Sequence, residues 1–406
     1  MSEGPRLGIL GGGQLGWMMI LEGRKLGASF GVLDPDPSAP ASRAADRHFP
    51  PEGARDFLSW SDVVTYEFEN VDAGIAGEAE ARGALRPGLF PLLLKQDRTR
   101  EKALFAELGL PTAEFRVVRS PEELEDLVRS SGPRVVKATY GGYDGKGVRV
   151  VRSPEEVPSL PWRYPVLAEE LVDVESEISV LVARSRGEEV VYPASENHNA
   201  DGILLYSVAP ARGRAAEEAS GIALRLARAL DYVGVMAVEF LVSRDGRVLV
   251  NEFAPRVHNT GHWTLCGAAT SQFENHVRAV LDLPLGSADL LRPAGIVNVL
   301  GMPREALRLK DLLSIPGTKL WWYGKAEARP RRKMGHVCAV AGSEDELRRR
   351  IGEVLEVLYG DASLGAGATA RGTERAEGSA SSSRCHRRGG TRLIYPQFSI
   401  IVTYVG

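Results

Sequence analysis

The chain has 406 residues, more than one hydrophobic core usually serves, so two or three domains are expected. Hydrophobic residues make up 44% and charged residues 25%, as in soluble globular proteins; 50 basic against 53 acidic residues leave a net charge of −3, which excludes a general electrostatic attraction to nucleic acid or an anionic membrane. Cys266, Cys338 and Cys385 are far apart with no C-x-x-C pair, so neither a zinc knuckle nor a redox dithiol is expected; the first two read as small buried hydrophobes.

In chain order, the apolar run Leu7 to Leu10 enters a glycine turn at Gly11, a helix is expected from Trp17 to Leu26, and a second strand spans Ser29 to Leu33 and ends at Asp34. Strand, glycine turn, helix and strand make a βαβ unit with a parallel sheet. Asp62 to Thr65 reads as another buried strand, with at most one shortened helix between Phe49 and Asp62. Asp97 to Leu108 is helical in pattern and stops at Gly109-Leu110-Pro111. Arg134 to Lys137 and Val148 to Val151 flank a glycine-rich loop and suggest an antiparallel hairpin. Strands follow at Val166 to Glu169, Ile178 to Ala183 and Val190 to Pro193, then an amphipathic helix from Ala215 to Leu230. Val235 to Val242 and Val248 to Glu252 form a second hairpin around Arg244-Asp245-Gly246. A third, smaller region begins near Pro293, with strand-like pieces at Ile296 to Leu300 and His336 to Val340. From Gly360 to Gly390 the chain is rich in Gly, Ala, Ser, Thr and Arg, lacks apolar periodicity and reads as disordered. No signal peptide and no apolar run of about 18 residues is present, so a cytoplasmic protein is expected.

Gly11-x-Gly13-x-x-Gly16, between a strand and a helix and with Asp34 about 20 residues on, matches a dinucleotide-binding fingerprint. The motif alone is weak. It fits a nicotinamide dinucleotide, a nucleotide-like substrate, or a tight turn with no ligand.

The second domain carries the sharper signal. Lys137 ends a buried strand just before Gly141, Gly142, Tyr143, Asp144, Gly145, Lys146 and Gly147, an arrangement suited to meeting phosphates under a movable cover. Glu169, Glu170, Leu171 and Val172 close an apolar strand whose backbone could read an adenine edge, and Glu177 follows at a distance suited to ribose hydroxyls. Glu239 and Glu252 each lie in an apolar strand of the second hairpin, where a charge is costly unless paired or bound to metal. Antiparallel pairing could place both on one face with Asn251 nearby, a hard-oxygen set suited to Mg²⁺ beside nucleotide phosphates. Arg256, His258, Asn259 and His262 crowd the segment directly after Glu252 and could bind a small oxyanion and stabilise developing charge.

Together these stretches resemble the ATP-grasp superfamily and, within it, the 5-(carboxyamino)imidazole ribonucleotide synthases. The resemblance is carried by Gly8 to Gly16, Thr65 to Val71, Gln96 to Arg98, Lys137 with Gly141 to Gly147, Tyr232 to Glu239, Asn251 to Asn259, Gly261 to Thr264 and Arg329 to His336. It implies an α/β and α+β architecture. A Rossmann-like parallel-sheet domain would span residues 1–97, an ATP-grasp domain 98–290 and a small β-rich C-terminal domain 291–360, with 361–406 an atypical disordered tail. It also implies ATP and Mg²⁺ as cofactors, aminoimidazole ribonucleotide and bicarbonate as substrates, and a homodimer.

Carried over by position, the resemblance implies that Arg98 and Lys137 contact ATP phosphates under a loop running through Gly142, Tyr143, Asp144, Gly145, Lys146, Gly147 and Val148. Glu169, Glu170, Leu171 and Val172 would meet adenine, Glu177 the ribose, and Glu239 and Glu252 the metal, with Asn251 beside them. Glu67, Asp144, Lys146, Arg256 and His258 would line the substrate and bicarbonate pocket, Asn259 would join the catalytic group, and Lys325 and Arg332 would hold the ribonucleotide phosphate. The implied reaction passes through carboxyphosphate, in a pocket that excludes water. Other ATP-grasp ligases (formate-dependent transformylases, biotin carboxylases) share the ATP site, and a non-catalytic nucleotide-binding relative is the reading from another class. The chain departs from the family pattern at Asn199, where a histidine is usual beside ATP, and at Arg331, where a glycine is usual.

Overall fold

The computed structural model describes residues 4–141 and 147–360, which leaves the loop core from Gly142 to Lys146, the region after Gly360 and Cys385 outside the described residues. The N-terminal strands Arg6–Leu10, Ser29–Leu33, Arg47–Phe49 and Val63–Tyr66 form a parallel sheet with Arg6–Leu10 and Ser29–Leu33 at its centre. The expected βαβ unit is present, its helix running over Gln14–Arg24 and so starting inside the glycine turn. Between Phe49 and Asp62 a 3-10 turn at Pro51–Gly53 leads into a short helix, Ala54–Trp60.

A second sheet, antiparallel throughout, contains Phe115–Val118, Val166–Glu170, Arg134–Ala138 and Val148–Val151 in that order, so the strands around the glycine loop pair as a hairpin. The largest sheet begins with Val248–Ala254 and Gly234–Ser243, continues through Val174–Arg184, Ser195–Ala200 and Ile203–Ala209, and ends with Ala294–Leu300, Lys333–Val340 and Thr318–Trp322. The strands of the C-terminal region therefore extend the central sheet, joined to it where Ala294–Leu300 pairs with Ile203–Ala209. The Ser195–Ala200 strand was not legible because Glu196, Asn197, His198 and Asn199 carry no apolar alternation. Cys266 and Cys338, expected as separate buried hydrophobes, are joined as a disulfide between the short helix Thr264–Gly267 and the strand Lys333–Val340, and a spacing of 72 residues gives no sequence sign of it.

The strand Gly234–Ser243 is buried on both faces, which its run of Val, Met and Ala requires. Met236 and Val238 pack with Ile222 and Leu226 of the helix Arg214–Ala229, while Val235 and Ala237 pack with Phe273 and Val277 of the helix Gln272–Val280. Each of the larger of these side chains contributes about 2 kcal/mol, and together they fix the strand that carries Glu239.

His276, on the helix Gln272–Val280, joins this strand to the N-terminal sheet. The Val235 N–H donates to its Nδ1 at 3.1 Å, so its proton sits on Nε2, which lies 2.8 Å from Thr65 Oγ1. Burial pushes His276 down to about 3. The folded protein therefore keeps it neutral while the unfolded chain protonates it once pH drops below about 6.5, and this contribution is lost as pH falls from about 6.5 toward about 3. Other buried groups titrate in the opposite sense, so the test is a difference. Between pH 6.5 and 5.5 the His276→Gln variant should lose about 1 kcal/mol less stability in urea than the parent; equal losses would show that His276 does not hold this bond neutral.

Candidate functional site

The glycine turn binds protein carboxylates. Glu67 Oε1 accepts from the Gly13 N–H at 2.8 Å, and its Oε2 accepts from the Leu15 and Gly16 N–H groups at 3.1 and 3.2 Å. Asp34 accepts from the Gly12 N–H at 2.7 Å. The N–H groups that would cradle a pyrophosphate are thus occupied, and Asp34 is bound to the turn, which removes the support for a nicotinamide dinucleotide here. Gly13 must be glycine: a Cβ there would stand 2.4 Å from the nearer Glu67 oxygen, and steric room, with no positive φ, is the reason. Burial pushes the Glu67 carboxyl up, while the turn's N–H groups, Arg256 and Lys325 pull it back.

Lys137, at the end of its strand, reaches Glu169 Oε2 at 2.7 Å and Asn251 Oδ1 at 3.0 Å. Glu169 is shared with Lys102 at 3.1 Å; burial alone would raise its pKa, but the two lysines hold it below the usual carboxylate range. Arg98 donates to the Ala138 carbonyl at 2.8 Å, which brings it to the mouth of the same cleft, lined also by Leu167, Asn251 and Glu252. Glu169 and Glu170 lie within the sheet ladder, and the Glu170 N–H is taken by the Glu114 carbonyl at 2.8 Å. Leu171 and Val172 follow the strand end. Of the loop, Gly147 and Val148 are described, with Gly147 at φ +73°; Gly142, Tyr143, Asp144, Gly145 and Lys146 lie outside the described residues.

Glu239 stands directly across from Glu252 on the paired strands, with an irregularity immediately after it. Glu177, on the next strand, faces Leu241, so its side chain emerges on the same face as Glu239. Burial first, then the neighbouring Glu252 and Glu177, push Glu239 up to about 8. Burial would raise Glu252 too, but Lys95, Arg98 and Lys137 hold it well below the usual range. Two carboxylates in direct register on neighbouring strands repel each other when both are ionised, and a cation shared between them would relieve that cost. Among the described residues no group of three or more His, Cys, Asp or Glu is arranged to hold a metal, so the pair would need other donors to complete a coordination shell. Two carboxylates completed by phosphate oxygens and water are a usual Mg²⁺ set, so these residues fit that ion. Asn199 donates to Glu177 Oε2 at 2.5 Å, which places both at one end of the cleft.

The segment after Glu252 turns away from the sheet and is pinned by buried polar pairs. Arg256 Nε meets Glu69 Oε2 at 2.5 Å with both side chains nearly buried. Burial would raise Glu69, but Arg256, with Lys95 behind it, holds it below the usual range. The His258 backbone is gripped by Gln272, whose Oε1 accepts the His258 N–H at 2.8 Å and whose Nε2 donates to its carbonyl at 2.7 Å. The His258 ring meets Thr260 Oγ1 through Nδ1 at 3.0 Å and lies 3.4 Å from Glu239 through Nε2. Asn259 is buried and exchanges amide hydrogen bonds with Asn298 at 3.1 and 2.8 Å, so its side chain anchors the loop. His262, in the same resemblance block, is fully buried against Asn259 and His336.

Lys325 and Arg332 lie on the connection between the two last strands of the large sheet. Lys325 sits over the Tyr323 ring at 5.6 Å and near enough to Glu67 to lower its pKa, so Glu67, Arg256 and Lys325 converge. Arg332 is exposed and donates to the Glu327 carbonyl at 2.9 Å. Arg331 adopts φ +69°, a conformation that favours glycine, and donates to the Asp201 carbonyl at 2.7 Å.

Sequence reasoning missed Glu69, Lys95, Glu101, Lys102, Gln272 and Asn298. Lys102 and Glu101 lie in a helix of unremarkable charge pattern, and Gln272 and Asn298 find their partners only in the fold. Lys95 lies in the last turn of the helix Leu89–Gln96, whose apolar start and internal Pro91 gave no clear helical signal.

Three family models match the chain: the ribonucleotide synthetase preATP-grasp domain over residues 5–93, the ATP-grasp domain over 103–273, and the phosphoribosylaminoimidazole carboxylase C-terminal domain over 294–350. The chain is 46% identical over 360 residues to the N5-carboxyaminoimidazole ribonucleotide synthase of Aquifex aeolicus, covering 87% of this chain and 97% of the relative. It is similar to the crystal structure of an N5-carboxyaminoimidazole ribonucleotide synthetase in an ADP complex, with TM-score 0.82 and 38% identity over 87% of this chain and 97% of the other. It is also similar to an Aspergillus clavatus N5-carboxyaminoimidazole synthase solved with ADP and 5-aminoimidazole ribonucleotide, with TM-score 0.82 and 30% identity over 88% of this chain and 99% of the other.

Proposed function

Because this chain belongs to the N5-carboxyaminoimidazole ribonucleotide synthase family, we propose that it uses ATP to join bicarbonate-derived carbon to the amine of 5-aminoimidazole ribonucleotide, releasing ADP and phosphate in purine biosynthesis. The observation that carries this reading is the register that sets Glu239 opposite Glu252, with Lys137 and Asn251 on one side of the pair and Arg256 and His258 on the other.

In this reading a bicarbonate oxygen attacks the γ-phosphorus, ADP leaves, and carboxyphosphate forms. The substrate amine then attacks its carbonyl carbon, phosphate leaves, and the amine gives up a proton. Arg98 and Lys137 hold the phosphates, with Glu169 aiming the Lys137 ammonium at 2.7 Å. Glu239 and Glu252 would hold Mg²⁺, which supplies neutralising charge to the phosphate oxygens. Glu177, with Asn199 bonded to it, takes the ribose, and the strand end at Glu169, Glu170, Leu171 and Val172 takes the adenine. Arg256 and His258 bind and orient bicarbonate, Asn259 fixes their loop, and Glu67, Lys325 and Arg332 receive the ribonucleotide. On the family resemblance we assign Asp144 and Lys146 to the substrate and bicarbonate pocket, and Gly147 and Val148 to the phosphates. The divisions at residues 97, 290 and 360 follow the same reading, and we place the enzyme in the cytoplasm as a homodimer.

The test is phosphate release from ATP in bicarbonate buffer, with and without 5-aminoimidazole ribonucleotide. Release that rises with the ribonucleotide and falls when bicarbonate is removed supports the reading; release indifferent to both refutes it.

A further inference from the structure

The metal-side carboxylate already has a cation on it. Lys95 Nζ lies 2.5 Å from Glu252 Oε2, and its second partner is Glu101, at 3.2 and 3.4 Å from the two carboxylate oxygens. The Lys95 side chain is 9% exposed and Glu101 2%, whereas Glu252 is 39% exposed and opens into the cleft. Glu101 is itself fixed, because its Oε1 accepts from the Phe253 N–H at 2.9 Å, one residue beyond Glu252. The lysine is therefore held between a buried acid anchored to the backbone and an accessible acid at the cleft.

We propose that Lys95 is a built-in counter-cation that occupies Glu252 in the resting enzyme and keeps free divalent metal off the Glu239–Glu252 pair until a nucleotide delivers it. The inference rests on the reading of that pair as the metal site. A cation on Glu252 Oε2 neutralises that carboxylate and repels a second cation beside it, so a free divalent ion must compete with the lysine while bringing only water as further ligands. Metal that arrives on a triphosphate brings several oxygen ligands of its own and can displace it. Glu101 makes the exchange reversible: Lys95, released from Glu252, stays paired with a buried carboxylate and is not left unpartnered. Arg98 and Lys137 also act on Glu252, but Lys95 is the cation that hydrogen-bonds its carboxylate, and in the proposed reaction the other two are assigned to the phosphates.

Mn²⁺, a spectroscopic substitute for Mg²⁺, tests this by electron paramagnetic resonance titration of the full-length protein, with and without a non-hydrolysable ATP analogue. Lys95→Met removes the cation, and Lys95→Met/Glu101→Gln removes it without leaving Glu101 as an unpaired buried charge. Without nucleotide, both variants should bind Mn²⁺ at least tenfold more tightly than the parent, and with the analogue the difference should shrink. A merely structural lysine would give the opposite result: weaker or unchanged Mn²⁺ binding in the folded double variant, which overturns the proposal. Absence of Mn²⁺ binding in every protein, even with the analogue, would instead overturn the metal-site reading and the proposal with it.

Discussion

Glu252→Ala will lower turnover by a factor of about 10³ or more, because the proposed metal loses a direct ligand and the charge stabilisation it brings is worth several kcal/mol. The fold should tolerate the change. Glu252 is the more exposed partner of Lys95, and its loss leaves Lys95 paired with Glu101 at 3.2 Å, so no buried charge is orphaned. Glu239 also loses its nearest like charge, which removes one of the influences that hold its pKa near 8. The variant should therefore melt within a few degrees of the parent while phosphate release collapses. Steady-state phosphate release and a thermal melt on the same preparation decide the matter: near-parental turnover would remove Glu252 from the metal site, whatever the melt reports.

Legibility in the sequence followed the scale of the interaction. The strand bearing Glu239 could be read because Val235 to Val238 are apolar on both faces, and the Arg244-Asp245-Gly246 turn closed the hairpin and so set Glu252 opposite Glu239. Lys137 could be read because a hairpin around glycines has only one end for a strand-terminal lysine. The parts that escaped depend on distant segments. Glu67 was named only through the family resemblance, as a pocket residue, and that its carboxylate fills the glycine turn follows from the parallel pairing of Arg6–Leu10 with Val63–Tyr66. Asn259 looked chemical because it neighbours His258, yet the fold buries it against Asn298, 39 residues away, in a strand whose pattern says only that it is apolar. Lys95 was hidden for the same reason: its meaning comes from Glu252, 157 residues on.

Arg256→Ala poses the opposite problem to Glu252→Ala, since here structure and chemistry are entangled. Removing the guanidinium leaves Glu69 buried and ionised with a backbone N–H and the more distant Lys95 as its remaining support, and breaking such a pair costs about 3–5 kcal/mol. The linkage follows in sign. In the parent, Arg256 holds the folded Glu69 pKa below its unfolded value, so this contribution is present at neutral pH and is lost as pH falls through the depressed folded value. In Arg256→Ala burial acts almost alone, the folded pKa rises above the unfolded one, and the variant should regain relative stability below about pH 5. Turnover should also fall by about 10²- to 10³-fold through loss of a charged donor to the anionic intermediate, but the unstable single variant cannot assign that loss. Pairing it with Glu69→Gln can. The double variant has no orphaned carboxylate and should recover most of the stability at pH 7.5, yet it still has no cation for bicarbonate. If its urea midpoint returns while bicarbonate-dependent phosphate release stays depressed and ATP-analogue binding is close to parental, Arg256 acts on the substrate as well as on Glu69. If turnover returns with stability, the arginine serves the fold alone, and the bicarbonate site must be built from other residues.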